Sequence, residues 1–366
     1  MKRFRKNSRI DERLLACYVL LVLVGLVMVY SVSSMMAESR FGSHLFFLKS
    51  QLMWAVLSAA VMAFVCRIDL KKWSVYSAPA LLAVLLLLAL VFLMPARNGA
   101  HRWLVVGPLT AQPSELFKFV MIVYLAFSLS NQKRNIGELR QLLLPYVPMI
   151  GLGLLLVVLE PDLGTTIVIF LTALGMFFLA GARMKHLLAG IVPLAGTAAF
   201  IVFGLGYNKK RILDYLSSVQ DPLQGSYQVK QAALTLGSGG ILGTGLGEGR
   251  QKLFFLPYPH TDFVFAAIGE EVGMLGLLVI LAALFFILWR GLKIASHQPD
   301  RFGYLLASGM VLSLFIAIAI NLGVVTALLP VTGLPLPFLS YGGSSLLVSS
   351  TAVAVLLNLS RRVTSR

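Results

Sequence analysis

Apolar residues in this chain come in blocks of about 20, divided by short polar segments instead of alternating with them. Blocks of that length match the hydrocarbon thickness of a bilayer and mark transmembrane helices instead of buried core helices. The pattern predicts ten spans, over residues 14–34, 46–65, 77–94, 115–129, 142–159, 165–180, 187–205, 263–289, 302–329 and 344–359. The fourth and sixth are short and need protein neighbours at one end. An even number of crossings puts both termini on one side. No long polar linker divides the spans, so the expected fold is a single all-α polytopic membrane domain covering residues 1–366. Short tails, about 1–13 and about 360–366, flank it.

One connection stands apart. Residues 206–262, between the seventh and eighth spans, form a loop of about 55 residues where most connections have about ten. A loop so long is functional or disordered as a rule. Tyr215, Leu216, Leu223, Tyr227, Val229 and Leu234 give it enough apolar content to pack. Short amphipathic helices lying on the outer membrane face are the expected structure there.

Composition agrees with the pattern. The chain is 58% hydrophobic and 13% charged, against roughly 25% charged in soluble domains. A net charge of +16 would suggest nucleic acid in a soluble protein. Here it reports topology. With the N-terminus inside, about 20 of the 31 Lys and Arg fall on cytoplasmic segments, as the positive-inside rule requires. Six of the remaining cations, Lys209, Lys210, Arg211, Lys230, Arg250 and Lys252, gather in the long external loop. Cys17 and Cys66 are too few for a disulfide framework and lack metal-ligand spacing. The N-terminal apolar stretch is too long for a signal-peptide core, so an uncleaved first span is expected.

The external loop contains the Gly-rich run "LGSGGILGTGLGEG" (236–249). It has no G-x-G-x-x-G and no following GK[ST], which excludes the common nucleotide loops. Two readings stay open for it: a compact turn-rich loop, or a close backbone approach to phosphate with Arg250 and Lys252 adjacent. No H-E-x-x-H or G-x-S-x-G occurs, so metalloprotease and serine-hydrolase chemistry drop out.

The acids carry more information, because a charge at mid-bilayer costs about 2.5–3.5 kcal/mol and faces protein or water. They recur at three outer-face places: Glu115; Glu160 with Asp162; and Asp262 with Glu270 and Glu271. Glu115 and Lys118 are three apart, neighbours on one helix face, and pairing accounts for both. Asp162 precedes a span and reads as an N-cap. Asp262 ends the cationic loop and is the exposed candidate base. Glu270 lies roughly 12 Å deeper on the following helix and Glu271 faces the other way, so no close carboxylate pair of the glycosidase kind forms. Both are expected to be buried partners of groups on other helices.

The motifs "GAHRWL", "QPSELFK", "EPDLGT", "DPLQGSYQVKQA", "GSGGILGTGLGEGRQKLFFLPYPHTDFVFAAIGEEVG" and "GLPLPFLSYGGSSL" together resemble the SEDS family of bacterial cell-wall polymerases, in the family's order and over nearly the whole chain. Their forms are closer to the division and sporulation members than to the elongation member. The resemblance implies peptidoglycan glycosyltransferase activity on lipid II, a disaccharide-peptide on undecaprenyl diphosphate, outside the cytoplasmic membrane. It implies that Asp262 is required for polymerisation, that Trp103 beside Arg102 is a family position, and that Glu115 with Lys118 is the family's acid–base pair. Ser340, Tyr341, Gly342 and Gly343 fall in a supporting motif. Many relatives have Gln where this chain has Glu160. Arg102, Lys209, Lys210, Arg211, Arg250 and Lys252 are the candidate diphosphate-binding cations. A divalent cation, Mg or Mn, could share that task, with no ligand cluster to mark it and no organic cofactor expected. The resemblance also implies a class B penicillin-binding protein as partner, within a division or elongation complex. A lipid II flippase and a non-catalytic division scaffold are the competing readings.

Overall fold

In the computed structural model, described over residues 10–95, 101–107, 109–131, 146–199, 203–204, 213–215, 217, 226–249 and 259–362, helices occupy the apolar blocks. They are α1 (Glu12–Phe41), α2 (Phe46–Val65), α3 (Leu70–Val91), α4 (Pro113–Ser130), α5 (Leu152–Leu159) after a π-helical turn at Val147–Gly151, α6 (Leu163–Leu179), α7 (Met184–Ala199), α8 (Tyr227–Ser238), α9 (Val264–Ser296), α10 (Arg301–Val325) and α11 (Gly343–Ser360). A two-stranded antiparallel hairpin, β1 (Leu104–Val106) and β2 (Leu109–Ala111), precedes α4. Among the described residues, seven helices are long and apolar enough to cross a membrane: α1, α2, α3, α4, α9, α10 and α11. The expected loop cations Lys209, Lys210, Arg211, Arg250 and Lys252 lie outside the described residues, as do parts of the long loop and the outer parts of both tails.

The bundle is apolar on its outside as well as in its core. Large apolar side chains such as Leu86, Leu93, Phe64 and Val279 face outward, while Ser33, Gln51, Thr172, Asn321 and Ser350 are buried. Where the surroundings are hydrocarbon, apolar contact alone does not drive helices together, and buried polar groups join them. The Tyr18 hydroxyl of α1 donates to Ser350 of α11 (2.8 Å), and Asn358 of α11 donates to the carbonyls of Val65 and Ile68 beyond α2 (2.7 Å each).

Both chain ends meet at one face. The Asp11 N–H donates to the Ser360 hydroxyl (3.0 Å), and Arg290 near the end of α9 holds the Asp11 carboxylate. Arg362 pairs with Asp69 and Lys71 with Asp300 at the same face. The Asp262 end of α9 lies at the opposite face, since α9 runs from Val264 to Ser296.

Helix bounds differ from the hydropathy pattern where polar residues ride on a helix. α3 starts seven residues before the expected position, because Asp69 caps it through the Lys71 N–H (3.1 Å) and Leu70 is fully buried. Lys71 and Lys72 interrupt the apolar run without interrupting the helix. α1 continues to Phe41, where Gly42 in the left-handed region (φ 65°) returns its N–H to Glu38. The hairpin was not expected, although "LVVGPLTA" sets a Gly-Pro turn between two short runs.

α9 is broken at Gly273 (φ 67°, ψ −174°), and the Gly-rich run fills the break. Thr244 and Gly245 donate their N–H groups to the Glu270 and Glu271 carbonyls, and Met274 and Leu275 donate to Gly240 and Ile241. The approach is so close that a Cβ on Gly243 would stand 2.3 Å from the Glu271 carbonyl oxygen. The glycines thus serve a compact, backbone-to-backbone contact. α8, a short helix within the long loop, buries Val229, Ala232 and Thr235 by packing on α9 and α10.

Gly243 takes φ 82° against immovable backbone. Gly243→Ala is expected to lose about 1–3 kcal/mol of stability from backbone strain alone, lowering the melting temperature of the purified protein in detergent. Gly237→Ala, in α8 with open space around it, should leave that temperature unchanged or raise it.

Candidate active site

Asp262 stands just before α9 and is half-buried. Its carbonyl accepts a hydrogen bond from the Asn321 side-chain amide (2.9 Å), whose other N–H reaches the Leu334 carbonyl (2.7 Å). Asn321 is buried within α10. One amide therefore joins the Asp262 turn to the non-helical segment 326–342. The Asp262 carboxylate turns toward that segment: Oδ2 lies 3.7 Å from where a Cβ on Gly333 would stand.

Two residues earlier, His260 is buried with its ring 4.5 Å from Phe47 and 5.7 Å from Tyr341, centroid to centroid. Burial, with Arg40 acting in the same direction, pulls its imidazole down to about 4, so the ring is neutral at physiological pH. The His260 carbonyl accepts from the Tyr341 N–H (2.7 Å), and the Tyr341 hydroxyl donates to Ser50 (3.1 Å).

Gln51 of α2 fixes the far end of the segment. Its amide donates to the Ser340 carbonyl (3.1 Å) and accepts from the Gly342 N–H (3.3 Å). The Ser340 hydroxyl accepts from the Leu336 N–H (2.8 Å). Gly343 lies flat on Trp54, where a Cβ would stand 2.2 Å from the indole. Ser340, Tyr341, Gly342 and Gly343 are thus held through backbone and packing.

A third segment, the turn 160–162, closes on the second. Arg102 donates from Nε to the Glu160 carbonyl (2.8 Å) and from Nη2 to the Pro161 carbonyl. Asp162 caps α6 through the Thr165 N–H (3.1 Å) and accepts from Gln112 (2.7 Å). Gly164 packs against Thr332 and Leu334. The fourth segment, leading into α4, is tied to α11, because the Gln112 N–H donates to Ser344 (3.0 Å). Three motifs distant in sequence, the Asp262 turn, the 160–162 turn and the segment leading into α4, therefore converge on the 326–342 segment and the start of α11. Arg102 is committed in part to carbonyls, and Trp103 is half-buried next to it.

Glu115 and Lys118 form a buried ion pair, Oε2 to Nζ 2.7 Å, one turn into α4. With Ser313, Leu334, Pro335, Ser345 and Ser349 they line a cavity of about 20 Å³, room for a single water. Glu270 and Glu271 sit against the Gly-rich run. Glu271 receives the Ser31 hydroxyl of α1 (2.7 Å) and the Gly247 N–H (3.1 Å), and Glu270 lies against Gly249. Both belong to the Gly-rich contact. Among the described residues no group of three or more His, Cys, Asp or Glu converges to hold a metal ion.

Asn321, Gln51, Gln112 and His260 were not singled out in the sequence. The available signal was a lone amide inside an apolar run, as in "AIAINLGVV" and "FFLKSQLMW", where an unpaired amide would be costly.

These features define a polytopic helical membrane protein with a half-buried acid at one end of the bundle, framed by irregular backbone that buried side chains satisfy. The family model for FtsW, RodA and SpoVE, described as "Cell cycle protein", matches residues 11–365, and the chain belongs to that family. It is 42% identical over 362 residues to a "Probable peptidoglycan glycosyltransferase FtsW" of Geobacter metallireducens, covering 98% of this chain and 96% of that protein. It is 41% identical to "Stage V sporulation protein E" of Bacillus subtilis, covering 97% and 98% respectively. Among solved structures it is similar to a chain reported under "Structural coordination of polymerization and crosslinking by a peptidoglycan synthase complex" (TM-score 0.79, 29% identity, 97% of this chain and 98% of that one). It is also similar to Thermus thermophilus RodA (TM-score 0.70, 27% identity, 98% and 99%).

Glu160 is fully buried, with both carboxylate oxygens unpartnered among the described residues. Burial first, then the nearby Asp162 charge, raises its carboxyl to about 8 against the opposing pull of Arg102. Below its ordinary value of 4.5 the group is protonated whether the chain is folded or not. As pH rises from there to about 8, the folded chain keeps a proton that the unfolded chain releases, so stability falls across that window and then levels off. Glu160→Gln should therefore raise the melting temperature by several degrees near pH 8.5 and change it little near about pH 4.5. Lys118→Met should cost about 3–5 kcal/mol by stranding the Glu115 carboxylate, with the double variant Glu115→Gln/Lys118→Met recovering much of it in the same melting assay.

Proposed function

We propose that this protein is a peptidoglycan glycosyltransferase that polymerises lipid II at the outer face of the cytoplasmic membrane, its termini inside. The observation that carries the reading is the convergence of three motif segments, the Asp262 turn among them, on the 326–342 stretch and the start of α11, at the face opposite the basic one where the chain ends meet. The positive-inside rule makes that basic face cytoplasmic.

Glycan polymerisation joins an acceptor hydroxyl to an anomeric carbon while a lipid diphosphate departs. Asp262, fixed through its backbone and half-exposed, takes the hydroxyl proton as the bond forms, a contribution typically worth about 10²–10⁴-fold. The departing diphosphate needs positive charge, not a second acid. Arg102 supplies part of that charge beside the 160–162 turn, and Lys209, Lys210, Arg211, Arg250 and Lys252 are the proposed remainder. Trp103 borders the same place. Asn321, His260, Gln51 and the Ser340–Gly343 stretch act as support, keeping the carboxylate in place against Gly333.

Two likenesses support this reading: the Geobacter relative is named for the activity, and the similar solved chain comes from a peptidoglycan synthase complex that coordinates polymerization with crosslinking. A class B penicillin-binding protein is the proposed partner, and the FtsW and SpoVE relatives favour a division or sporulation setting over elongation. A flippase would instead need polar groups along a path through the midplane. The buried charged pair Glu115–Lys118 is closed on itself beside a cavity of about 20 Å³.

Reconstitution with labelled lipid II and the partner transpeptidase tests the proposal. Wild type should make glycan strands, and Asp262→Asn should lose at least about 10²-fold in rate while folding normally. Glycan from the variant at the wild-type rate would remove the base assignment. Transbilayer movement of lipid II without polymer would favour transport.

A further inference from the structure

α6 and α9 both pack on α10 rather than on each other and leave its outward face open between them. The result is a groove of about 930 Å³, at the upper end of the 300–1,000 Å³ typical of ligand pockets. Phe178 and Leu179 of α6 form one wall, Phe285 and Leu292 of α9 the other, with Leu312 and Phe315 of α10 on the floor.

The groove is amphipathic along its length. No acidic residue lines it, and its one charged lining residue is Lys293, exposed near the end of α9. Among the described residues Lys293 has no ion-pair partner, in contrast to Arg290 one turn away, which is held by Asp11. The Lys293 ammonium sits 5.6 Å from the centre of the Trp289 ring. Ser296 and the Tyr304 phenol line the same end, and Arg183 and Lys185 follow α6 there. Away from that end the lining is Gly, Leu, Val and Phe, with the Ser308 hydroxyl on α10. An unneutralised cation beside a tryptophan, at the basic face of the bundle, matches the headgroup level of a membrane. The apolar trough leads from it toward the bilayer centre.

We propose that this groove binds one anionic phospholipid, its phosphate on Lys293 and an acyl chain laid between α6 and α9 on α10. A transmembrane helix of a partner would fill the trough but would leave Lys293 without a counter-charge. A phospholipid of negative charge satisfies both parts. The inference stands independently of the catalytic reading.

The test is native mass spectrometry of the full-length protein in detergent, titrated with phosphatidylglycerol or with phosphatidylcholine of the same acyl chains. The first phosphatidylglycerol should bind roughly fivefold more tightly, the worth of one lysine at an anionic surface. Lys293→Ala should erase that preference and retain phosphatidylcholine binding, while Lys72→Ala, an exposed cation of the same face outside the groove, should keep it. Equal affinity for the two lipids would overturn the proposal. So would equal effects of the two substitutions, or a Leu292→Cys crosslink to the transmembrane helix of a co-expressed transpeptidase in native membranes.

Discussion

Inside a bilayer a backbone amide has no water to turn to, so any residue that leaves the helix must find a partner within the protein. Among the described residues, three departures from helix show this, and each is resolved by a different device. At Gly273 the Gly-rich run lays its own backbone into the break in α9. At the 160–162 turn, Arg102 covers two carbonyls. Along 326–342, the side-chain amides of Asn321 and Gln51 hold the two ends. The rest of the bundle is ordinary helix packing with a few hydroxyl and amide bridges.

The same constraint explains where chemistry can sit. A continuous helix presents side chains but buries its backbone, whereas an irregular segment creates concavities and brings distant motifs to one place. Gly333, at φ 78°, lets the segment turn where the Asp262 carboxylate meets it. His260 and Tyr341 couple the Asp262 turn to α2 through packing and one backbone hydrogen bond. The carboxylate is thus carried on a short turn fixed from both α10 and α2, a rigid mount of the kind that general-base geometry needs. The remaining acids differ in their surroundings. Glu115 is paired with Lys118, Glu271 accepts from a hydroxyl and an amide, and Asp162 caps a helix start.

Much of this was legible in the residues themselves, and the parts that were share one property: they are local. Blocks of apolar residues specify helices because the period and length of a span are fixed by the chain and the bilayer. Glu115 with Lys118, and Asp162 before Thr165, follow from spacing on a single helix. The early start of α3 was missed for the complementary reason, since Lys71 and Lys72 mask a helix that its Asp69 cap and the buried Leu70 extend.

What only the tertiary structure decided is which distant groups meet. Gln51 and Gly342 are 291 residues apart, and Asn321 and Asp262 are 59 apart. Neither pairing has a period or spacing to reveal it. The sequence shows that a buried amide needs a partner, because desolvation makes an unpaired one costly, but the partner is set by how helices cross. Likewise, the chain alone marks Arg102 as a cation near the outer face. Its commitment to the Glu160 and Pro161 carbonyls emerges only when α4, α6 and α10 pack together, because that packing brings an unsatisfied turn within its reach.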